Sequence, residues 1–227
     1  MAEIWITEEV ITEEFFNNLG HFTSLDGAIE RVFFIGGGTE DGDYVEENKN
    51  FLLDFLIAQN NYPLYLTFVL YEDQAEEYIT FLKRNQLNFT LQDLDEKRSY
   101  YDFLGRHQYH PPCFTVKIPC PNALKLVMDE TFWLPAQNEF YSISYSDNLI
   151  FRLEKVKEWG RKRDRSIPIF KIDGETTFIT IFHDGAGFYL FSNEEKFSSL
   201  ESLCSNLPKD TVITQINDTL IKNDDYC

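Results

Sequence analysis

Four residues of the kinds that zinc prefers, His107, His110, Cys113 and Cys120, lie close together in the pattern H-x2-H-x2-C-x6-C. Two imidazoles and two thiolates would complete a tetrahedral structural site. The spacing is not that of the familiar paired knuckles, and Pro111 and Pro112 constrain the backbone between the ligands. Val116 and Ile118 read as the inward face of a strand, which would place Cys120 there as a small apolar residue. Ordinary packing outweighs zinc on this pattern, and neither a metal nor a cofactor is expected.

Gly36-Gly37-Gly38-Thr39 stands where phosphate-binding loops are found, between a strand pattern and a helix pattern. A phosphate needs backbone N–H groups at a helix start and a supporting cation. Here the loop continues Glu40-Asp41-Gly42-Asp43, whose carboxylates repel phosphate, and neither nucleotide fingerprint is matched. Those carboxylates suit a hard cation no better, because the spacing is not that of an EF-hand. A turn capped by Asp43 is the simpler reading. His183-Asp184 invites a catalytic interpretation, but catalytic pairs meet in space and no G-x-S-x-G elbow accompanies them. Asp184 reads as turn chemistry instead.

Charge is more informative than any of these motifs. The chain has 227 residues and a net charge of −18. Residues 1–47 carry 12 carboxylates, among them Glu8, Glu9, Glu13, Glu14, Glu40, Asp41 and Asp43, against the single base Arg31. Such a chain repels polyanions and anionic bilayers, so neither nucleic acid nor membrane is expected as a partner. A cationic protein would be steered in. The opposite extreme is residues 155–165, where six Lys or Arg surround Trp159 and only Glu158 and Asp164 oppose them. That stretch could dock a phosphate-bearing ligand or an acidic surface, but pairing with carboxylates of the same molecule is simpler.

The elements that must position these residues follow from periodicity. Ile4 to Ile6 reads as a strand, and Thr7 as the cap of a helix carrying Ile11, Phe15 and Leu19, ended by Gly20. A strand at Arg31 to Ile35 stops at the three glycines. Asp43 and Glu46 then open a helix that buries Phe51, Leu52, Phe55 and Leu56. A strand at Leu64 to Tyr71, a helix with Ala75, Tyr78, Ile79 and Leu82, and a strand at Asn88 to Gln92 complete a βαβαβ-like parallel unit. After a short helix near Pro121 to Glu130, six strand-like runs follow, two of them joined at Asp184-Gly185-Ala186-Gly187, with a helix boxed by Ser192 and Glu195. The expected fold is mixed α and β: an acidic α/β half, 1–118, followed by a mainly antiparallel β-rich half, 119–227, possible also as one continuous domain.

The 21 Phe against 2 Met imply a core of rigid rings. Four sparse cysteines read as free thiols, and with no leader or apolar span in the sequence the expected location is cytoplasmic. The leading expectation is a non-catalytic acidic module that binds a basic protein, of inhibitor or immunity type. The seven carboxylates named above would be its contact groups. The alternatives are an enzyme of unknown class with a pocket near Gly36 to Asp43, and a structural zinc module.

Overall fold

Ile4 and Ile6 alternate with Trp5 and Thr7 along Ala2–Glu8 (β1), so one side of the strand is buried and the other partly exposed. The computed structural model describes residues 2–12, 15–16, 22–38, 43–103, 105–158 and 160–221. The first turns of chain after β1 lead to Ser24–Asp26 (β2) and Arg31–Gly37 (β3). Thr7 does not cap a helix, because Thr7 and Glu8 pair with Phe34 and Phe33 and extend the strand. The predicted end of that helix, Leu19 and Gly20, lies outside the described residues. Gly36 and Gly37 continue β3 where a stop was expected. A Cβ on Gly36 would lie 2.5 Å from the Trp5 ring, so glycine lets the indole lie flat on the neighbouring strand.

Asp43 caps Tyr44–Gln59 (α1) by accepting from the Glu46 N–H, and Phe51, Leu52, Phe55 and Leu56 are buried, as their spacing predicts. Leu64–Val69 (β4), Ala75–Arg84 (α2) and Asn88–Asp93 (β5) also follow the sequence reading. Next come the hairpin Arg98–Asp102 (β6) and Gly105–Tyr109 (β7), then Pro112–Ile118 (β8), Pro121–Thr131 (α3) and the single turn Trp133–Ala136 (α4). The later elements are Tyr141–Ser144 (β9), Leu149–Glu158 (β10), Arg161–Lys171 (β11), Thr177–Ile181 (β12), Phe188–Ser192 (β13), Leu200–Ser205 (α5), Thr211–Ile216 (β14) and Thr219–Leu220 (β15). Ser192 ends a strand and hydrogen-bonds Thr177, so the helix start passes to Ser199, which accepts from the Ser202 N–H.

One sheet takes ten strands in the order β15-β14-β1-β3-β13-β12-β9-β4-β8-β5. Every step from β3 to β5 is antiparallel, so β3, β4 and β5 run in one direction, linked by helices as the βαβαβ reading supposes. They are not neighbours, however. β13, β12 and β9 stand between β3 and β4, and β8 stands between β4 and β5. The fold is therefore mixed α/β, with strands of the later chain interleaved among those of the earlier chain.

The helices cover one face of this sheet. There α1 and α3 bury Phe33, Ile35, Leu66, Phe114, Ile143 and Leu190. The other face carries a second apolar cluster around Val32, Val69, Phe178 and Phe191, covered by the small sheet β10-β11-β2. Phe170 of β11 stacks on Phe178 with ring centroids 3.8 Å apart, and Phe178 stacks on Phe191 at 4.5 Å. No helix among the described residues is long and apolar enough to cross a membrane.

Candidate functional site

The zinc-type residues are not brought together. Cys113 and Cys120 lie near opposite ends of β8 and beyond it, seven residues and roughly 20 Å of extended chain apart. Cys113 is fully enclosed in the second apolar cluster, where burial pushes its thiol pKa up to about 12. Cys120 is exposed at the start of α3, contrary to the buried position its spacing suggested. His110 Nδ1 is 2.8 Å from the Leu94 carbonyl oxygen, and His107 stacks on Tyr100. Among the described residues no group of three or more His, Cys, Asp or Glu side chains could hold a metal.

The glycine run is packing, not a cradle. The Gly37 N–H donates to Asn48 Oδ1 at 3.0 Å, while Asn48 Nδ2 donates back to the Gly37 and Tyr44 carbonyls. Asn48 of α1 thus takes the Gly37 N–H, one of the donors that a phosphate would need. Thr39, Glu40, Asp41 and Gly42 lie outside the described residues. His183 and Asp184 do meet, with Nδ1 and Oδ2 2.8 Å apart, on an exposed turn where Asp184 has φ +58°. Asn138 clamps that turn by donating to Asp184 Oδ1 and accepting from the Asp184 N–H.

The acidic first fifth is divided. Glu8 and Glu9 lie at the Val32 end of β3, where Glu8 pairs with Arg31 at 3.4 Å and the Glu9 N–H donates to the Val32 carbonyl. Partial burial raises the Glu9 carboxyl above its usual range. Asp43 caps α1 at the opposite end of the strand, six extended residues and about 20 Å away. That exceeds the ~8 Å screening length at physiological salt, so the two groups do not act as one field. Glu13 and Glu14 fall outside the described residues.

At the Asp43 end a different acidic surface forms, which no single stretch of sequence announces. The first turns of α1 and α2 meet the last turn of α3. Lys49 bridges Glu46 at 2.8 Å and Asp129 at 3.1 Å, and Lys125 reaches Asp129 at 3.2 Å. Tyr78 of α2 donates its hydroxyl to the Glu130 carbonyl, and burial, with Glu130 and Glu77 close by, raises its pKa. Glu72, Glu76, Glu77 and Glu130 are exposed on these elements and make no ion pair among the described residues, whereas Asp73 lies by Tyr109 at the cleft. Acidic side chains at helix starts also suit the dipoles of α1 and α2.

A cleft of about 1120 Å³ opens on the other face, between the β6–β7 hairpin and the β10–β11 hairpin. Its floor is a charge network. Arg98 Nη1 donates to Glu139 Oε2 at 2.6 Å and its Nε to Glu96 Oε1 at 2.8 Å. Arg165 donates two bonds to Glu158, at 2.7 and 2.8 Å. Glu96 and Glu139 are only 3% and 8% exposed, so these are desolvated carboxylates that need their cation. Burial alone would lower the Arg98 pKa, but Glu139 and Glu96 outweigh it and hold it raised. Glu96 also stitches the hairpin down: it accepts from the Ser166 N–H at 2.8 Å, and its own N–H donates to Ser166 Oγ. The expected pairing of the basic stretch within its own molecule is met at Arg163 and Arg165. Trp159 lies outside the described residues.

Fold and surfaces together define a mixed α/β protein built on a ten-stranded sheet, with an acidic helix junction on one face and a cleft between two β-ribbons on the other. Comparison with protein-family models, with curated proteins and with solved structures finds no match to this chain.

Proposed function

We propose that the chain is a non-catalytic binding protein that captures a cationic protein at the junction of α1, α2 and α3. The observation that carries this reading is the set of carboxylates Glu46, Glu72, Glu76, Glu77, Asp129 and Glu130 carried by the helix starts and the end of α3, where Lys49 and Lys125 are the cations paired among the described residues. Among the described residues, Asp43, at the start of α1, is the contact group expected from sequence that lies on these elements. A clustered negative potential speeds the encounter with a cationic surface and selects against anionic ones. An inhibitor or immunity-type role, neutralising a cationic toxin or nuclease, uses that physics, because such enzymes are cationic toward their own anionic substrate. Free Cys113, Cys120 and Cys204 suit a reducing, cytoplasmic setting.

Titration with a panel of purified cationic nucleases tests this. Affinity should fall steeply between about 0.05 M and about 0.5 M salt, as screening shortens the reach of the carboxylates. Reversing Glu72, Glu76, Glu77 and Glu130 to lysine should weaken it at least about tenfold, while Glu175→Lys on a remote turn should leave it nearly unchanged. No binding by any member, or binding indifferent to salt and to the four reversals, would sink the proposal.

A further inference from the structure

The β10–β11 ribbon has an open edge that points into the cleft. β10 pairs with β11 along the whole of residues 161–170, but β2 covers the other side of β11 only at Ile169, Phe170 and Lys171. The Ser166 N–H turns away from β10 and reaches Glu96. Strand alternation therefore turns the N–H groups of Asp164 and Lys162 the same way. Pro168 shares that parity and has no N–H to offer, as expected at an unpaired edge. Glu96 and Pro168 thus close the edge at its inner part, while on the side away from β10 residues 161–165 have no strand partner among the described residues.

The charge beside this edge is opposite to that of the protein. Between residues 152 and 165 seven Lys or Arg face three carboxylates, in a chain of net charge −18. Glu154 is held by Arg152, and Glu158 by Arg163 and Arg165. Lys155, Lys157, Arg161 and Lys162 make no ion pair among the described residues; on the cleft wall itself Lys162, Lys97 and Arg106 stand with the two carboxylates Asp95 and Asp164. Aromatic and aliphatic side chains, Tyr71, Tyr109, Phe140, Phe151 and Leu153, line the space between. At about 1120 Å³ the cleft is larger than an ordinary small-molecule pocket and is walled by two β-ribbons.

We propose that the cleft is a strand-addition groove, in which an extended acidic peptide pairs its backbone with residues 161–165 of β11 and sets its carboxylates against Lys162, Lys97 and Arg106. Open backbone donors spaced two residues apart, with cations beside them, call for an extended chain bearing Asp or Glu at alternate positions. A nucleic acid has the charge but not the backbone N–H and C=O pattern, and the acidic remainder of the protein repels its length. The surface, the sign of charge and the occupant all differ from those of the helix junction, so either proposal can fail without the other.

Fluorescence anisotropy with a short labelled peptide alternating Glu and Val tests the groove in the full chain. The expected result is saturable, salt-sensitive binding, with none for the peptide alternating Lys and Val. Lys162→Glu removes a rim cation, and Asp164→Pro removes an edge N–H that β10 does not use; each should weaken binding by about tenfold or more. If Asp164→Pro loses its native circular dichroism, the same acidic peptide N-methylated at alternate amides replaces it and should bind about tenfold more weakly. Equal binding of the methylated peptide, or wild-type affinity in folded Asp164→Pro, would show charge capture without strand pairing and overturn the proposal. So would a single-stranded oligonucleotide of equal charge binding as tightly, or no binding of the acidic peptide at all.

Discussion

On the helix side of the ten-stranded sheet Phe55 lies fully buried between Phe188 and Phe197, with ring centroids 6.0 Å away on each side. On the ribbon side Arg98 lies between Glu96 and Glu139, at 2.8 and 2.6 Å. Both residues hold a layer onto the same sheet. The first does so by non-directional burial of apolar surface, which tolerates a shift of a few tenths of an ångström. The second depends on directed, charge-assisted bonds whose members are costly when left alone. The helix face is thus held by volume at Phe55, and the ribbon face by volume at Phe170, Phe178 and Phe191 and by stoichiometry at Arg98. The ribbon face is the one that keeps an open cleft, because a charge network can be satisfied without filling the space around it.

Substitutions sharpen the contrast. Phe55→Ala leaves a cavity among rings and should cost about 3–5 kcal/mol in urea unfolding, with no rescue from neighbouring conservative changes. Arg98→Ala strands two buried carboxylates and should also cost about 3–5 kcal/mol, but the triple change Glu96→Gln, Arg98→Met, Glu139→Gln should recover most of that loss, leaving about 1 kcal/mol. Gln at position 96 keeps an acceptor for the Ser166 N–H. A triple variant as unstable as Arg98→Ala would contradict the stoichiometric account. Asp43→Ala removes the cap of α1 and should cost about 1 kcal/mol on the helix side alone.

The smallest effect is a pH dependence. Hydrogen bonds from Arg165 hold the Glu158 carboxyl below its usual range. The unfolded chain then binds the proton more readily than the folded one. The stabilisation is complete above the unfolded pKa of about 4.3 and is lost as pH falls through the depressed folded value. Glu158→Gln should flatten the acid limb of a stability–pH curve without moving the neutral plateau by more than about 1 kcal/mol. An unchanged acid limb would mean that the Arg165 pair carries no linkage.

How far the chain could be read from sequence follows the same division. α1 is legible because its cap and its apolar stripe, Asp43 through Leu56, lie within one short window. The Asp184 turn is legible because turn chemistry is local. The β6–β7 hairpin escapes notice, since its rings, Tyr100 and Tyr101 side by side and Tyr109 far along, give Arg98 to Tyr109 no period-2 alternation to detect. The cleft floor is illegible for a different reason: Glu96 meets Ser166 across 70 residues and Arg98 meets Glu139 across 41. Nothing in the spacing of Glu, Arg and Ser marks these partners. Of the seven expected contact carboxylates, Glu8 and Glu9 lie at one end of β3 and Asp43 beyond the other, a separation that no local pattern announces, while Glu13, Glu14, Glu40 and Asp41 lie outside the described residues.

The interleaving of the sheet has a consequence for how the molecule is made. During synthesis β3 and β4 emerge long before β13, β12 and β9, the strands that fill the gap between them, and β1 waits for a partner whose contact Asn217 lies 209 residues from Glu8. The early half therefore leaves the ribosome with unpaired edges and cannot close a native sheet by itself. Maturation is expected to be late, slow and dependent on the last strands, and a nascent chain stalled before β12 is an aggregation hazard that a chaperone would have to shield.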